Sequence, residues 1–203
     1  MPEFDASLPV LAGVAALAYL LGSVPFGLVA ARLFGLPDPR TIGSKNIGAT
    51  NVLRTGSKGA AATTLLLDAL KGLVAVVLAR WLVGDGAAQI AALFAFLGHC
   101  YSVFLGFKGG KGVATFLGAV YGLAFPVGIA ASLIWLITCV ATRYSSLSAL
   151  VAAFFTPVVA ALIVGPHFFV VLSVMAFVLA WRHRENISRL LAGTEAKVGA
   201  KST

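Results

Sequence analysis

The stretch VATFLGAVYGLAFPVGIAASLIWLITCVA, from Val113 to Ala141, decides the fold. It carries no charge. About 20 apolar residues cross the hydrocarbon core of a bilayer as a helix, so this run is long for one crossing and short for two. Gly122 to Gly128, with Pro126 inside, offers a turn in the middle. The cations on either side choose between the two. Let the loops Gly35–Ser57 and Gly106–Gly112 face the cytoplasm. One crossing then sends Arg143 outside and, after two more spans, Arg182, Arg184, Arg189, Lys197 and Lys201 with it. Two crossings place all of these inside, beside Arg32, Arg40, Lys45, Arg54, Lys58, Lys108 and Lys111. Only Lys71, within a span, and Arg80 are left out. Cytoplasmic loops carry the excess of Lys and Arg, so two short crossings are favoured.

Working outward, the expected spans are 8–34, 59–83, 87–105, 113–124, 126–141, 147–164 and 168–182. The fold class is therefore an all-α integral membrane protein with seven transmembrane helices, the N-terminus outside and the C-terminus cytoplasmic. Residues 1–203 read as a single polytopic domain. The composition agrees: 60% of residues are hydrophobic and 11% charged, against about 25% charged in soluble domains. The formal charge of +8 lies in short segments between apolar runs, with no basic patch interleaved with aromatics, which argues against nucleic acid. Glu3 and Asp5 precede the first span, and no Lys or Arg comes before Arg32. A secretory signal needs a basic start, so the run reads as a retained span. Pro25, within Gly22–Gly27, predicts a break that faces protein. Cys100 and Cys139 read as reduced core residues, and no Cys/His spacing suggests a metal.

Polar chemistry gathers in three clusters, all on the cytoplasmic side under this topology. Gly43–Arg54 combines glycines that can expose backbone N–H groups with Ser44, Asn46, Thr50, Asn51, Lys45 and Arg54. Phe107–Lys111 adds Lys108, Gly109, Gly110 and Lys111 but lacks the P-loop spacing. His183–Asn186 supplies the one titratable imidazole of the set, and Arg182–Leu191 reads as an amphipathic continuation of the last helix. From Ala196 the tail is expected to fray. Carboxylates are scarce, with only Glu185 and Glu195 nearby. Such a site suits oxygen anions beside lipid, as in a phospholipid precursor. Asp68 and Lys71, at i and i+3 within a span, read equally as a locking pair or a substrate contact. His99 reads as a helix-packing hydrogen bonder. Two other classes compete. A transporter should have polar clusters on both faces, and a scaffold leaves the one-sided clusters unexplained.

Six motifs in order carry a resemblance. They are Gly22-Ser23-Val24-Pro25-Phe26-Gly27, Gly43–Asn51, Asp68-x-x-Lys71-Gly72, His99-x-x-Ser102-x-Phe104, Phe107–Thr115 and His183–Ile187. Together they resemble the bacterial PlsY-type acyl-phosphate:glycerol-3-phosphate acyltransferases, over about Leu17 to Glu195. The resemblance implies a multi-pass inner-membrane enzyme with its site facing the cytoplasm. It would transfer a fatty acyl group from acyl phosphate to the sn-1 hydroxyl of glycerol 3-phosphate, releasing phosphate. The product would be lysophosphatidic acid, the first acylation of phospholipid synthesis. Acyl phosphate, glycerol 3-phosphate and membrane lipid are the implied partners, with an acyl-phosphate synthase as a candidate docking protein. No cofactor and no metal is implied. By motif position, Ser44, Arg54, Lys111, His183 and Asn186 should surround a phosphate. Asn46, Thr50 and Asn51 should shape the loop and contact the glycerol. Lys108, beside Gly109 and Gly110, is a candidate for a second phosphate. Asp68, Lys71, His99 and Ser102 stand as structural or secondary positions. Either His183 or a substrate phosphate takes the hydroxyl proton, and the absence of an orienting carboxylate favours the phosphate. One departure is Lys45, where the family usually has glycine. A left-handed backbone there would cost about 1 kcal/mol.

Overall fold

The computed structural model describes residues 6–199, so Glu3, Asp5 and Lys201 lie outside the described residues. Among the described residues all regular structure is helical. The first apolar run forms α1 (Leu8–Ser23) and α2 (Phe26–Leu33), parted at Val24-Pro25. Proline has no N–H and cannot continue the ladder, so carbonyls before it lose their partners. Here two distant side chains replace them. Ser102 Oγ donates to Ser23 O at 2.6 Å, and Lys71 Nζ donates to Val24 O at 2.8 Å.

After a loop, the short α3 (Ala49–Val52) leads into α4 (Lys58–Leu82), the central helix. Ser57 caps α4, its hydroxyl accepting from Ala60 N at 3.2 Å. With 25 residues α4 is about 37 Å long, enough to cross a bilayer. It packs against α1, α2, α5 (Asp85–Cys100) and α6 (Val113–Leu123). Small residues allow the close approach, since a Cβ at Gly118 would lie 1.9 Å from Ala69 O.

The decisive run is broken at Ala124, between α6 and α7 (Phe125–Thr142), with Pro126 in the first turn of α7. Arg80 fastens this break. Its guanidinium donates to Gly122 O at 2.5 Å and Leu123 O at 2.8 Å and pairs with Asp85 at 2.6 Å. The remaining elements are α8 (Ser145–Val164), α9 (Phe169–Arg182) and α10 (Arg184–Leu191), with a 62° bend at His183 between the last two.

Five helical stretches among the described residues are long and apolar enough to cross a membrane, or six if the bent α9–α10 unit is one span. The helix α6 has 11 residues, about 16 Å, short of a 30 Å core. It is also largely buried, joining Phe116 and Val120 to a core with Phe96, Leu172, Met175 and Leu179. Large apolar side chains such as Leu66, Trp81, Ile137, Phe154 and Phe177 cover the outside, as lipid contact requires. Among the described residues the tail is held as far as Gly199 and is not frayed from Ala196. Gly193 turns the chain at φ +70°, Val198 N donates to Arg143 O at 2.8 Å, and Lys197 sits over the Tyr144 ring.

Candidate active site

A cavity of about 1070 Å³ opens where the 43–54 loop, the start of α6, the start of α8 and the α9–α10 bend converge. Ser44, Asn46, Thr50, Asn51, Arg54, Lys111, His183 and Asn186 all line it. Between α4, α6 and α7 its wall becomes apolar, with Ala62, Leu65, Leu117 and Trp135.

The buried Asn51 organises the loop. Its amide donates to Pro39 O (2.6 Å) and Asn46 O (2.8 Å), and its Oδ1 accepts from Ser44 N (2.9 Å). That amide is engaged at both ends by backbone, so it shapes the loop rather than reaching for a ligand. Asn46 Oδ1 accepts from Gly48 N at 2.9 Å, a local turn before α3. Gly43 has φ +48°, and a Cβ there would lie 2.7 Å from Asn51 Oδ1 and 2.9 Å from Arg54 Nη1. Lys45 does take the left-handed conformation, φ +55°, with its side chain exposed. Thr50 Oγ1 meets Ser145 Oγ at 3.2 Å. Arg54 forms no ion pair among the described residues, which leaves its fork free for an anion.

Lys111 Nζ donates to Asn186 Oδ1, and Asn186 Nδ2 donates to Glu195 Oε1 at 2.6 Å. The same carboxylate accepts from Ser146 Oγ (2.6 Å) and Arg189 Nε (2.7 Å). Burial raises the Glu195 pKa, but these hydrogen bonds outweigh it and hold the carboxyl below its ordinary value. Burial, then Arg189, pushes the Lys111 pKa down. His183 Nδ1 lies 2.8 Å from Leu179 O, so it must carry the proton and donate to that carbonyl. Burial lowers the His183 pKa to about 4, leaving a neutral ring whose Nε2 has a lone pair.

The glycine cluster is placed otherwise than its composition suggests. Gly110 N donates to His99 O at 2.9 Å, capping the end of α5. Arg182 donates to Gly109 O at 2.8 Å and Gly110 O at 3.1 Å. Neither glycine lines the cavity, and Lys108 is exposed away from it. Ser102 and Lys71 serve the Pro25 break. Lys71 also pairs with Asp68 at 2.7 Å and meets His99 Nδ1 at 3.0 Å. Asp68 and His99 reach the cavity wall, Lys71 and Ser102 do not. The reading from sequence does not single out Ser145, Ser146 or Arg189 for the site and notes Glu195 only as one of two nearby carboxylates. The serine pair at the start of α8, next to Arg143, was the available signal. Among the described residues no group of three or more His, Cys, Asp or Glu is arranged to hold a metal.

Comparisons with known proteins converge. The family model described as glycerol-3-phosphate acyltransferase matches residues 12–193. A glycerol-3-phosphate acyltransferase of Ruegeria sp. (strain TM1040) is 59% identical over 201 residues, covering 99% of this chain and 100% of that protein. The crystal structure of PlsY, an integral membrane glycerol 3-phosphate acyltransferase, in its glycerol 3-phosphate form superposes with a TM-score of 0.88 at 38% identity, over 94% of this chain and 96% of the other. Its lysophosphatidic acid form gives 0.86 at 37%, over 93% and 95%.

Proposed function

This chain belongs to the glycerol-3-phosphate acyltransferase family as a PlsY-type integral membrane acyltransferase, and on that footing we propose that its acyl donor is acyl phosphate and its acceptor the sn-1 hydroxyl of glycerol 3-phosphate. One observation carries the reading: a single cavity joins a cluster of anion donors to an apolar wall between α4, α6 and α7. Acyl phosphate is a mixed anhydride and needs no strong protein nucleophile. The enzyme holds two anions together and aims the hydroxyl at the carbonyl. Alignment of that kind is worth up to about 7–11 kcal/mol.

In the reaction, O1 of glycerol 3-phosphate bonds to the acyl carbon and the carbon–oxygen bond to phosphate breaks. Phosphate leaves, and the hydroxyl proton goes with it. The second pKa of a phosphate group is about 6 in a monoester, and as the carbon–oxygen bond breaks the departing phosphate is a stronger base than an imidazole held near 4. His183 Nε2 accepts a hydrogen bond from the hydroxyl and orients it. Arg54, Lys111 and Ser44 bind phosphate, Asn186 sets Lys111, and Asn46, Thr50 and Asn51 hold the loop. Lys108, Gly109 and Gly110 act from outside the cavity. Asp68 and His99 form part of the cavity wall, and Lys71 and Ser102 support them from behind it. The acyl chain lies along the apolar wall.

Residues 1–203 act as one domain of the bacterial inner membrane. With the short, buried α6 counted as a crossing beside α7, it crosses seven times, the N-terminus outside, the C-terminus and the site cytoplasmic. An acyl-phosphate synthase is its candidate supplier. The test is acyl transfer to glycerol 3-phosphate by purified protein in lipid from palmitoyl phosphate, palmitoyl-CoA and palmitoyl carrier protein. Product from the acyl phosphate alone supports the reading. Product from either thioester overturns the donor assignment.

A further inference from the structure

On the wall of the cavity stand ionisable groups that the reaction above leaves without a chemical part. We propose that His99 is a further catalytic residue, donating a hydrogen bond from Nε2 to the carbonyl oxygen of the bound acyl donor. The proposal rests on the acyl-transfer reading and deepens it.

A lysine ammonium has three N–H groups and no lone pair. Three acceptors surround Lys71 Nζ: Asp68 Oδ1 at 2.7 Å, Val24 O at 2.8 Å and His99 Nδ1 at 3.0 Å. Val24 O and His99 Nδ1 each accept one N–H, and Asp68 Oδ1 stands by as the ion-pair partner. His99 Nδ1 is therefore the lone-pair nitrogen, and the ring proton sits on Nε2. Asp68 Oδ1 is 3.5 Å from the same Nδ1, too far to compete for a proton there.

The other edge of the ring faces the chain beside Lys111. A Cβ at Gly110 would lie 2.1 Å from His99 Nε2, so only a glycine lets the ring stand there. Among the described residues Nε2 hydrogen-bonds to no protein atom, yet it is not among the buried polar atoms left without a partner. His99 itself lines the cavity. A neutral N–H held rigidly at the wall, one residue from Lys111, suits an oxygen whose negative charge grows as its carbonyl is attacked. The break at Pro25 thereby gains a role, because the carbonyl it frees helps to fix Lys71 and so the tautomer. Lys71 and Asp68 are positioning residues in this scheme.

Two measurements test it. The first uses the wild-type chain, labelled with ¹⁵N-histidine, in lipid nanodiscs. It has three histidines, and His167→Asn and His183→Asn assign the resonances. His99 is expected as the Nε2–H tautomer, and its Nε2 resonance should move when a non-hydrolysable acyl phosphonate binds. A His99 found as Nδ1–H, or one unmoved while His183 responds, overturns the proposal. The second is kinetic. His99→Phe should lower kcat by about 100-fold or more with KM for glycerol 3-phosphate little changed. His99→Gln, whose amide nitrogen reaches the Nε2 position, should recover most of that loss. Equal defects in both variants, or none in His99→Phe, would overturn it. A wild-type chain inactive with acyl phosphate would instead refute the reaction on which the proposal stands.

Discussion

Lys45→Gly isolates the cost of one backbone conformation at the edge of the site. Lys45 lies at φ +55°, and its side chain is exposed and does not line the cavity. A residue with a Cβ pays about 1–2 kcal/mol for the left-handed region. Glycine removes that term, but it also loosens the unfolded chain by about 0.4–1 kcal/mol. The difference is a net gain of roughly 0.5–1 kcal/mol, since the steric term is the larger. In a chain of this size 1 kcal/mol moves the unfolding midpoint by about 2–4 °C. The assay is thermal unfolding of the wild type, Lys45→Gly and Lys45→Ala, purified in lipid nanodiscs. Alanine keeps the Cβ and drops the charge, so it should not reproduce the gain. The steady-state constants for glycerol 3-phosphate should not change with either variant. A midpoint raised equally by alanine would mean that loss of the lysine charge, and not of backbone strain, is what stabilises. A lower midpoint for glycine would mean that chain entropy outweighs the steric cost.

Arg54→Lys exchanges a planar fork for a point charge, and KM for glycerol 3-phosphate should rise about tenfold or more, since charged hydrogen bonds are worth about 1.5–3 kcal/mol. Glu195→Gln keeps an acceptor for Ser146 and Asn186 but sets an amide N–H₂ against Arg189, so kcat/KM should fall about 10-fold or more as Asn186 loses its fixed orientation. A steady-state assay reads both. The His183 pKa is lowered from 6.5 to about 4 on folding, so its effect on stability is absent above pH 6.5. Below that the unfolded chain binds the proton first, and stability falls as pH drops toward 4, by about 3 kcal/mol. His183→Gln should flatten that part of the pH–stability curve measured by thermal unfolding.

What could be read in advance divides by the range of the interaction. Pro25 announces a break because proline lacks an N–H, a property of one residue. The side chains that satisfy the freed carbonyls, Lys71 and Ser102, come from helices far along the chain, and no local pattern names them. Asn51 was legible as a polar loop residue. Its full engagement depends on a turn that brings the carbonyls of Pro39 and Asn46 to one amide. The Gly109-Gly110 pair has the composition of an anion cradle, but the last turn of α5 needs a cap and Arg182 needs acceptors, and those demands take its backbone. The part Glu195 plays depends on Gly193 reversing the chain, a turn that places a carboxylate against Asn186 from the far side. Arg80 stood apart in the charge count because its work is to close the end of α6.

The returning tail has a practical consequence. Residues Thr194 to Gly199 form part of the cavity wall, and Val198 is tied to Arg143. An affinity handle or fluorescent group attached next to Gly199 therefore sits beside that wall. Such an attachment can shift apparent substrate affinity without altering any side chain of the site. A handle at the opposite end avoids that artefact, and comparing the two placements would measure how tightly the wall is held.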